Sequence, residues 1–224
     1  MLIEGDNNLM KDYIEINKKA YNTLAKEYDE REHEIGKDFW INIYNDLKLK
    51  ESKNVNVLEI GPGNGRNIKI LKEYRDDLKI TAIELSEKLC EIVKKNNPDV
   101  TVINEDILEI NLKEKEYDVI EAIALIHLFP IEDAKIILNK IRLALKDDGF
   151  LIIGTTINNK DSEGFYIKED YNMNIKRFRH KYTKESFEEL LSECGFKVYR
   201  PYIIEEKVRK KIWNDIVVKK KNRE

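Results

Sequence analysis

Five short apolar runs, each set off from the next by a stretch with helical spacing or a polar connection, constrain this chain more than any other feature. They are Val55–Ile60, "LKITAIELS", "DVTVINED", "YDVIEAIALIHLF" and "FLIIGTT". They read as continuous apolar segments rather than strict alternation, as expected of a parallel sheet covered by helices on both faces. The helical pattern after the first run places Ile68, Ile70, Leu71 and Tyr74 on one face. Ser86 is placed to cap the next helix, with Glu87 in its first turn. "IEDAKIILNKIRLALKDDG" reads as an amphipathic helix closed by Gly149. Two further helices, about Lys11 to Tyr28 and Asp38 to Leu49, precede the sheet. After it, Asn158 to Tyr182 is polar and aromatic without a clear period and reads as a loop. A helix capped by Thr183 and closed by Gly195 follows. "FKVYRPYII" and "KKIWNDIVVKK" then read as a hairpin.

The first strand runs into VLEIGPGNGRN, Val57 to Asn67, where Gly61, Gly63 and Gly65 take three of the chain's nine glycines. Such sheets bind ligands beyond the carboxyl ends of their strands. Glycine there permits backbone angles closed to other residues and leaves no side chain in a ligand's way. The following helix turns unpaired N–H groups toward the same spot. The nicotinamide fingerprint has its third glycine one residue later. Here Glu59 also precedes the first glycine, and a carboxylate there would repel a pyrophosphate but attract an ammonium group. Glu84, at the end of the second strand, is placed to accept ribose hydroxyls. These features favour a nucleoside with a positive, amino-acid-like end, a description that S-adenosyl-L-methionine fits.

The remaining composition narrows the field. A formal net charge of −3 gives no overall attraction for nucleic acid or an anionic membrane. The basic runs "VRKK" and "KKKNRE" read as solvated strand ends. No basic segment followed by an apolar core marks a secretory signal, and no window is long and apolar enough for a membrane helix. Cys90 and Cys194 are far apart, so neither a metal site nor a disulfide framework is suggested. A cytoplasmic location is the default expectation, and no metal is expected.

The sequence resembles the class I S-adenosylmethionine-dependent methyltransferases, in particular a small bacterial and archaeal subset. "VLEIGPGNGRN" looks like their first motif, Glu84 like their ribose-binding acid, and "NEDI" like the segment that flanks adenine. The turn Leu125 to Leu128, Leu-hydrophobic-His-Leu, and a last strand containing Trp213 are similar to that subset. Pro62 is a departure from the commonest glycine turn. The resemblance implies a three-layer α/β/α sandwich, with a seven-stranded, mostly parallel, Rossmann-like sheet whose last strand runs antiparallel between its neighbours. The length suits a single domain over 1–224, read as an N-terminal helical cap (1–50), a cofactor-binding core (51–157), an acceptor lid (158–182), and a C-terminal helix and hairpin (183–224). For the cofactor the resemblance implies Glu59, Gly61, Gly63, Asn64, Gly65, Glu84, Leu85, Asp106, Ile107 and Ala122. Tyr21 and Tyr28 are expected on the helix that folds over it, with S-adenosyl-L-homocysteine as product.

His127 falls where the fourth strand should end and is the candidate catalytic residue, as a base or as a group orienting the acceptor. Arg66 is expected on the helix surface. The lid concentrates Tyr166, Tyr171, Arg177, Phe178, Arg179, His180 and Tyr182. Of these, Tyr166, Arg177, His180 and Tyr182 are the candidate acceptor contacts, since arginine among aromatics can stack a planar acceptor or hold an anionic one. Methyl transfer to an oxygen or nitrogen of a small molecule is the leading expectation. RNA, DNA or protein as acceptor, and a non-catalytic cofactor-binding subunit, stay in competition with it.

Overall fold

The computed structural model describes residues 12–31, 35–51, 53–168 and 174–221. The start of the chain, Tyr171 and the end of the basic C-terminal run lie outside them. Two helices come first, α1 (Tyr13–Glu30) and α2 (Lys37–Asp46). The central layer then alternates β1 (Asn56–Ile60), α3 (Arg66–Tyr74), β2 (Lys79–Ile83), α4 (Glu87–Asn96), β3 (Thr101–Ile103), β4 (Tyr117–Ile123), α5 (Ile131–Ala144) and β5 (Leu145–Thr156). The chain continues as β6 (Ser162–Ile167), β7 (Lys176–Lys181), α6 (Lys184–Glu193), β8 (Phe196–Glu206) and β9 (Lys211–Lys220).

Seven strands form one sheet in the order β3-β2-β1-β4-β5-β9-β8. The first five are parallel, and β9 runs antiparallel between β5 and β8. Strand order reverses between β1 and β4, which places the ligand crevice of such sheets at the glycine turn. Each sheet face buries its own apolar cluster. One contains Leu58, Ile120, Leu151 and Ile216 with α5 and α6. The other contains Val57, Val119, Ile152 and Val217 with α2 and α3. Neighbouring residues of one strand thus serve opposite layers, which is why the strands read as unbroken apolar runs.

The caps at Ser86 and Thr183 form as expected. Ser86 Oγ accepts from Leu89 N at 3.2 Å. Thr183 and Ser186 make a reciprocal capping box. Two boundaries differ from the sequence reading. Gly149 does not close α5: the helix ends at Ala144, and Leu145–Gly149 is the irregular start of β5, held to β4 by Lys146 on the Asp118 carboxylate at 2.8 Å. Asn158–Tyr182 is not a loop either, because β6 and β7 pair as an antiparallel hairpin from Ser162↔Lys181 to Ile167↔Lys176. On one face of that hairpin Phe165 and Phe178 pack edge to face and Phe178 meets Tyr13 of α1. The other face carries Arg177 and Arg179 and looks onto a cavity. Charge on every second residue hid the strand.

Helix α1 lies across the carboxyl ends of the strands and is held there by polar contacts. Asn17 donates to Leu128 O at 3.0 Å and accepts from Phe178 N at 2.8 Å. Asn22 accepts from Ser86 Oγ and donates to Glu87, which Lys18 also meets at 2.6 Å. Tyr13 donates to Asp133 at 2.6 Å. The helix is therefore a fixed roof tied to four separate elements: the Ile126–Leu128 turn, β7, α4 and α5.

Candidate active site

Under that roof lies a cavity bounded by β1, β2 and β4 on one side and by the β6–β7 hairpin and the β8–β9 turn on the other. Its first part is the glycine turn. Gly61, Gly63 and Gly65 have φ of 70°, 60° and 77°. These are left-handed values that favour glycine. Each also has a different close neighbour. A Cβ on Gly61 would lie 2.9 Å from Leu125 Cδ1, one on Gly63 2.8 Å from Tyr28 Cε1, and one on Gly65 would run into Asn97 Nδ2. Gly61 and Gly63 line the cavity. Gly65 does not; its carbonyl accepts from Asn97 at 3.1 Å, so it serves the packing of α3 on α4.

Four carboxylates mark this half. Glu59 and Glu84 are buried at the cavity wall, and Glu121 sits beside Glu59 on the neighbouring strand. Burial pushes Glu84 up to about 7, against the backbone N–H groups of Ser86, Gly63 and Leu85 that stabilise its charge. Burial, then Glu121 and Glu84, hold Glu59 well above the usual carboxylate range. Asp106 is half-buried at the wall and also raised by burial, although it accepts Leu108 N at 2.9 Å. Ile83, Leu85 and Ile107 give the apolar surface between them. A buried carboxylate stays ionised only beside a cation or good donors, so this half suits a ligand with a positive end and hydroxyls.

The other half is basic. His127 lies in the turn Ile126–Leu128, buried, with Nδ1 3.0 Å from Thr155 Oγ1. Burial depresses its pKa well below the ordinary value, helped by the charges of Arg179, Arg177, Lys168 and Lys211. Arg177 and Arg179 come from β7, Lys168 from the end of β6, and Lys211 from the start of β9.

Tyr21, Tyr28, Glu59, Gly61, Gly63, Asn64, Glu84, Leu85, Asp106, Ile107, His127 and Arg177 therefore share one cavity. Five expected residues do not reach it. Ala122 is fully buried in β4, and the wall begins at Ile123 and Ala124, where the backbone turns with φ 56°. Gly65 packs as described. Tyr166 lies under Lys181, 3.8 Å from its ring centroid. His180 lies on the far face of the hairpin, bonded to Asp161 at 2.9 Å and stacked on Tyr182 at 3.9 Å, and Tyr182 is buried with it. The period of two that put Arg177 and Arg179 together puts Phe178 and His180 on the opposite face. Several cavity residues were not foreseen, Arg66, Lys168, Arg209 and Lys211 among them. Arg66 is half-buried rather than on the surface, donating to Ile35 O at 2.6 Å. Arg209 and Lys211 of the "VRKK" run reach the cavity instead of bulk solvent. Their side chains arrive through the β8–β9 turn, a contact that local sequence does not encode.

The sheet order, the switch point and the antiparallel last strand define an α/β fold of the Rossmann-like methyltransferase type. Residues 57–149 match a family described as a methyltransferase domain. The chain thus carries a methyltransferase domain over these residues, about two fifths of its length. It is 34% identical over 88 residues to ribosomal RNA small subunit methyltransferase A of Malacoplasma penetrans. That match takes in 38% of this chain and only about a third, 32%, of that protein's length. Two solved structures share the fold. One is 1,6-didemethyltoxoflavin-N1-methyltransferase of Burkholderia thailandensis with 1,6-didemethyltoxoflavin and S-adenosylhomocysteine bound (TM-score 0.71, 15% identity, 95% of this chain and 91% of that one). The other is an S-adenosylmethionine-dependent methyltransferase of Clostridium acetobutylicum (TM-score 0.68, 15% identity, 90% and 99%). Among the described residues no helix is long and apolar enough to cross a membrane.

Proposed function

We propose that this chain transfers a methyl group from S-adenosylmethionine to an oxygen or nitrogen of a small molecule. The supporting observation is a single cavity with an acidic half at the glycine turn and a basic half at His127, both under the roof of α1. Glu59 would hold the ammonium end of the cofactor and Glu84 its ribose hydroxyls. Asp106 and Ile107 would take the adenine, while Tyr21 and Tyr28 close over it. The bound cofactor supplies a methyl group already activated on a sulfonium, for in-line displacement by the acceptor's lone pair. The protein's share is then alignment, for which effective molarities correspond to about 7–11 kcal/mol at the upper end. An acceptor at His127 would be enclosed by α1, the hairpin and the β8–β9 turn, which suits a small molecule better than a macromolecule. The Malacoplasma relative acts on ribosomal RNA by its description, which makes RNA the reading to test against.

The deciding assay incubates the protein with methyl-labelled S-adenosylmethionine and an extract of the source cells. The extract is then divided by ultrafiltration and by nuclease and protease treatment. Label in the small-molecule fraction is expected; label that nuclease releases from retained material would replace this reading with RNA methylation.

Glu84→Ala should weaken S-adenosylhomocysteine binding by about 1.5–3 kcal/mol, the range for hydrogen bonds to a charged group. Calorimetry that finds wild-type affinity would remove Glu84 from the ribose site. For His127, a depressed pKa makes the imidazole neutral and a weak base, so it orients the acceptor. His127→Gln should raise KM with little change in kcat. The wild-type rate should lack a limb near pH 6.5; a limb there that vanishes in the variant would make His127 the base after all.

A further inference from the structure

We propose that the acceptor carries an oxyanion, seated on the Arg177 and Arg179 guanidinium groups beside His127. The proposal rests on the methyltransferase reading for the identity of the acceptor, but not for the existence of the seat. Arg177 is the central observation. It is 6% exposed, lines the cavity, and donates from Nη1 to the Tyr21 hydroxyl at 3.1 Å. Among the described residues no carboxylate pairs with it. Three more exposed arginines do have carboxylate partners: Arg75 pairs with Asp77 at 2.5 Å, Arg200 with Asp46 at 2.6 Å, and Arg209 with Glu206. A buried guanidinium whose partner among the described residues is a neutral phenol has given up hydration without gaining an opposite charge from them. Such a group is placed to meet an anion that arrives from solution.

Its neighbours have the same sign. Arg179, two residues on and on the same hairpin face, donates to Thr156 Oγ1. Lys168 is buried, with Nζ 5.3 Å from the centroid of Tyr21 and 5.8 Å from that of Tyr28. All three, with Lys211, act on His127 in the same direction, against its protonated form. Among the described residues, two carboxylates face this end of the cavity. Glu206 is engaged by Arg209 and by Trp213 Nε1 at 3.0 Å. Asp215 is pushed up to about 7 by burial, which reduces its charge at neutral pH. The guanidinium fork matches a carboxylate or a phosphate in two parallel hydrogen bonds, the chemistry that both sources share.

The test is calorimetry with the protein saturated by S-adenosylhomocysteine. Binding of S-adenosylhomocysteine is measured first, so that loss of the cofactor site and loss of the anion seat are read separately. The probes are benzoate, inorganic phosphate and benzamide as the neutral match of benzoate. Saturable binding of benzoate or of phosphate is expected, and which of the two binds names the source of the oxyanion. Benzamide should bind at least about tenfold more weakly than benzoate if the carboxylate is the source. Arg177→Gln should weaken the bound anion by about tenfold or more, as loss of a charged hydrogen bond requires. Arg179→Gln should do the same where Arg177→Gln fails to fold. Failure of both anions to saturate, benzamide binding as tightly as benzoate, or wild-type anion affinity in the variants would each overturn the proposal.

Discussion

Gly63→Val should weaken S-adenosylhomocysteine binding by about a hundredfold, the largest loss expected from any single change at the glycine turn. The position is left-handed, with φ 60°. That conformation costs a branched residue strain on the order of 1–3 kcal/mol. Its Cβ would lie 2.8 Å from Tyr28 Cε1, so the roof helix must give way or the strand end must shift. The two γ carbons would then stand in the cavity, where overpacking costs about 1–3 kcal/mol. A hundredfold loss corresponds to about 2.7 kcal/mol and has a direct thermal signature. At 100 times the wild-type dissociation constant, the ligand should stabilise the wild type by about 2.7 kcal/mol. At that same concentration the variant should gain only about 0.4 kcal/mol. Gly65→Ala provides the contrast: Gly65 packs on Asn97 outside the cavity, so its substitution should lower stability more than affinity. Equal ligand shifts in wild type and Gly63→Val would mean that the cofactor does not pass this turn.

The parts of the site that were legible in the sequence are those encoded by neighbours in the chain. Val57 to Asn67 carries its own strand, turn and helix start, and Glu84 follows its strand directly. Their place in the cavity therefore follows from element order and from where the strands end. The acceptor end is different. Arg177 meets Tyr21 across 156 residues, and His127 meets Thr155 across 28. Arg209 and Lys211 arrive from the last hairpin, so a run that looked like solvated charge lines the site instead. Within the hairpin the information was present as alternation: Phe178 and His180 lie on one face, Arg177 and Arg179 on the other. Because half of that pattern is charge facing a cavity rather than bulk water, it did not read as a half-buried strand. Ala122 was displaced for a smaller reason, since the exposed turn begins only where β4 ends.

Glu121→Gln should stabilise the ligand-free protein at pH 8 and flatten its dependence on pH. Glu121 and Glu59 are register partners on β4 and β1, both buried, with the Tyr44 phenol against them from α2. Burial pushes Glu121 up to about 7. A carboxyl whose folded pKa lies above its unfolded value binds more protons in the native state than in the unfolded one. Stability is therefore lost as pH rises through the folded pKa. Glu59, Glu84 and Asp215 have the same sign. His127 has the opposite effect, but its contribution changes only below its unfolded value of about 6.5. The window from pH 6.5 to 8 thus isolates the carboxylates, and wild-type stability should fall across it. A shift from 4.5 to about 7 amounts to about 3 kcal/mol at most, and the glutamine variant should recover a large part of it at pH 8. The same pair explains how the cofactor's ammonium would be received: a cation beside Glu59 favours ionisation, so binding should release protons. Calorimetry in two buffers of different ionisation enthalpy measures that release, which should shrink in Glu59→Gln. Chemical denaturation at pH 6.5, 7.2 and 8 measures the stability slope, and a slope unchanged by Glu121→Gln would show that this carboxyl is already ionised in the native protein.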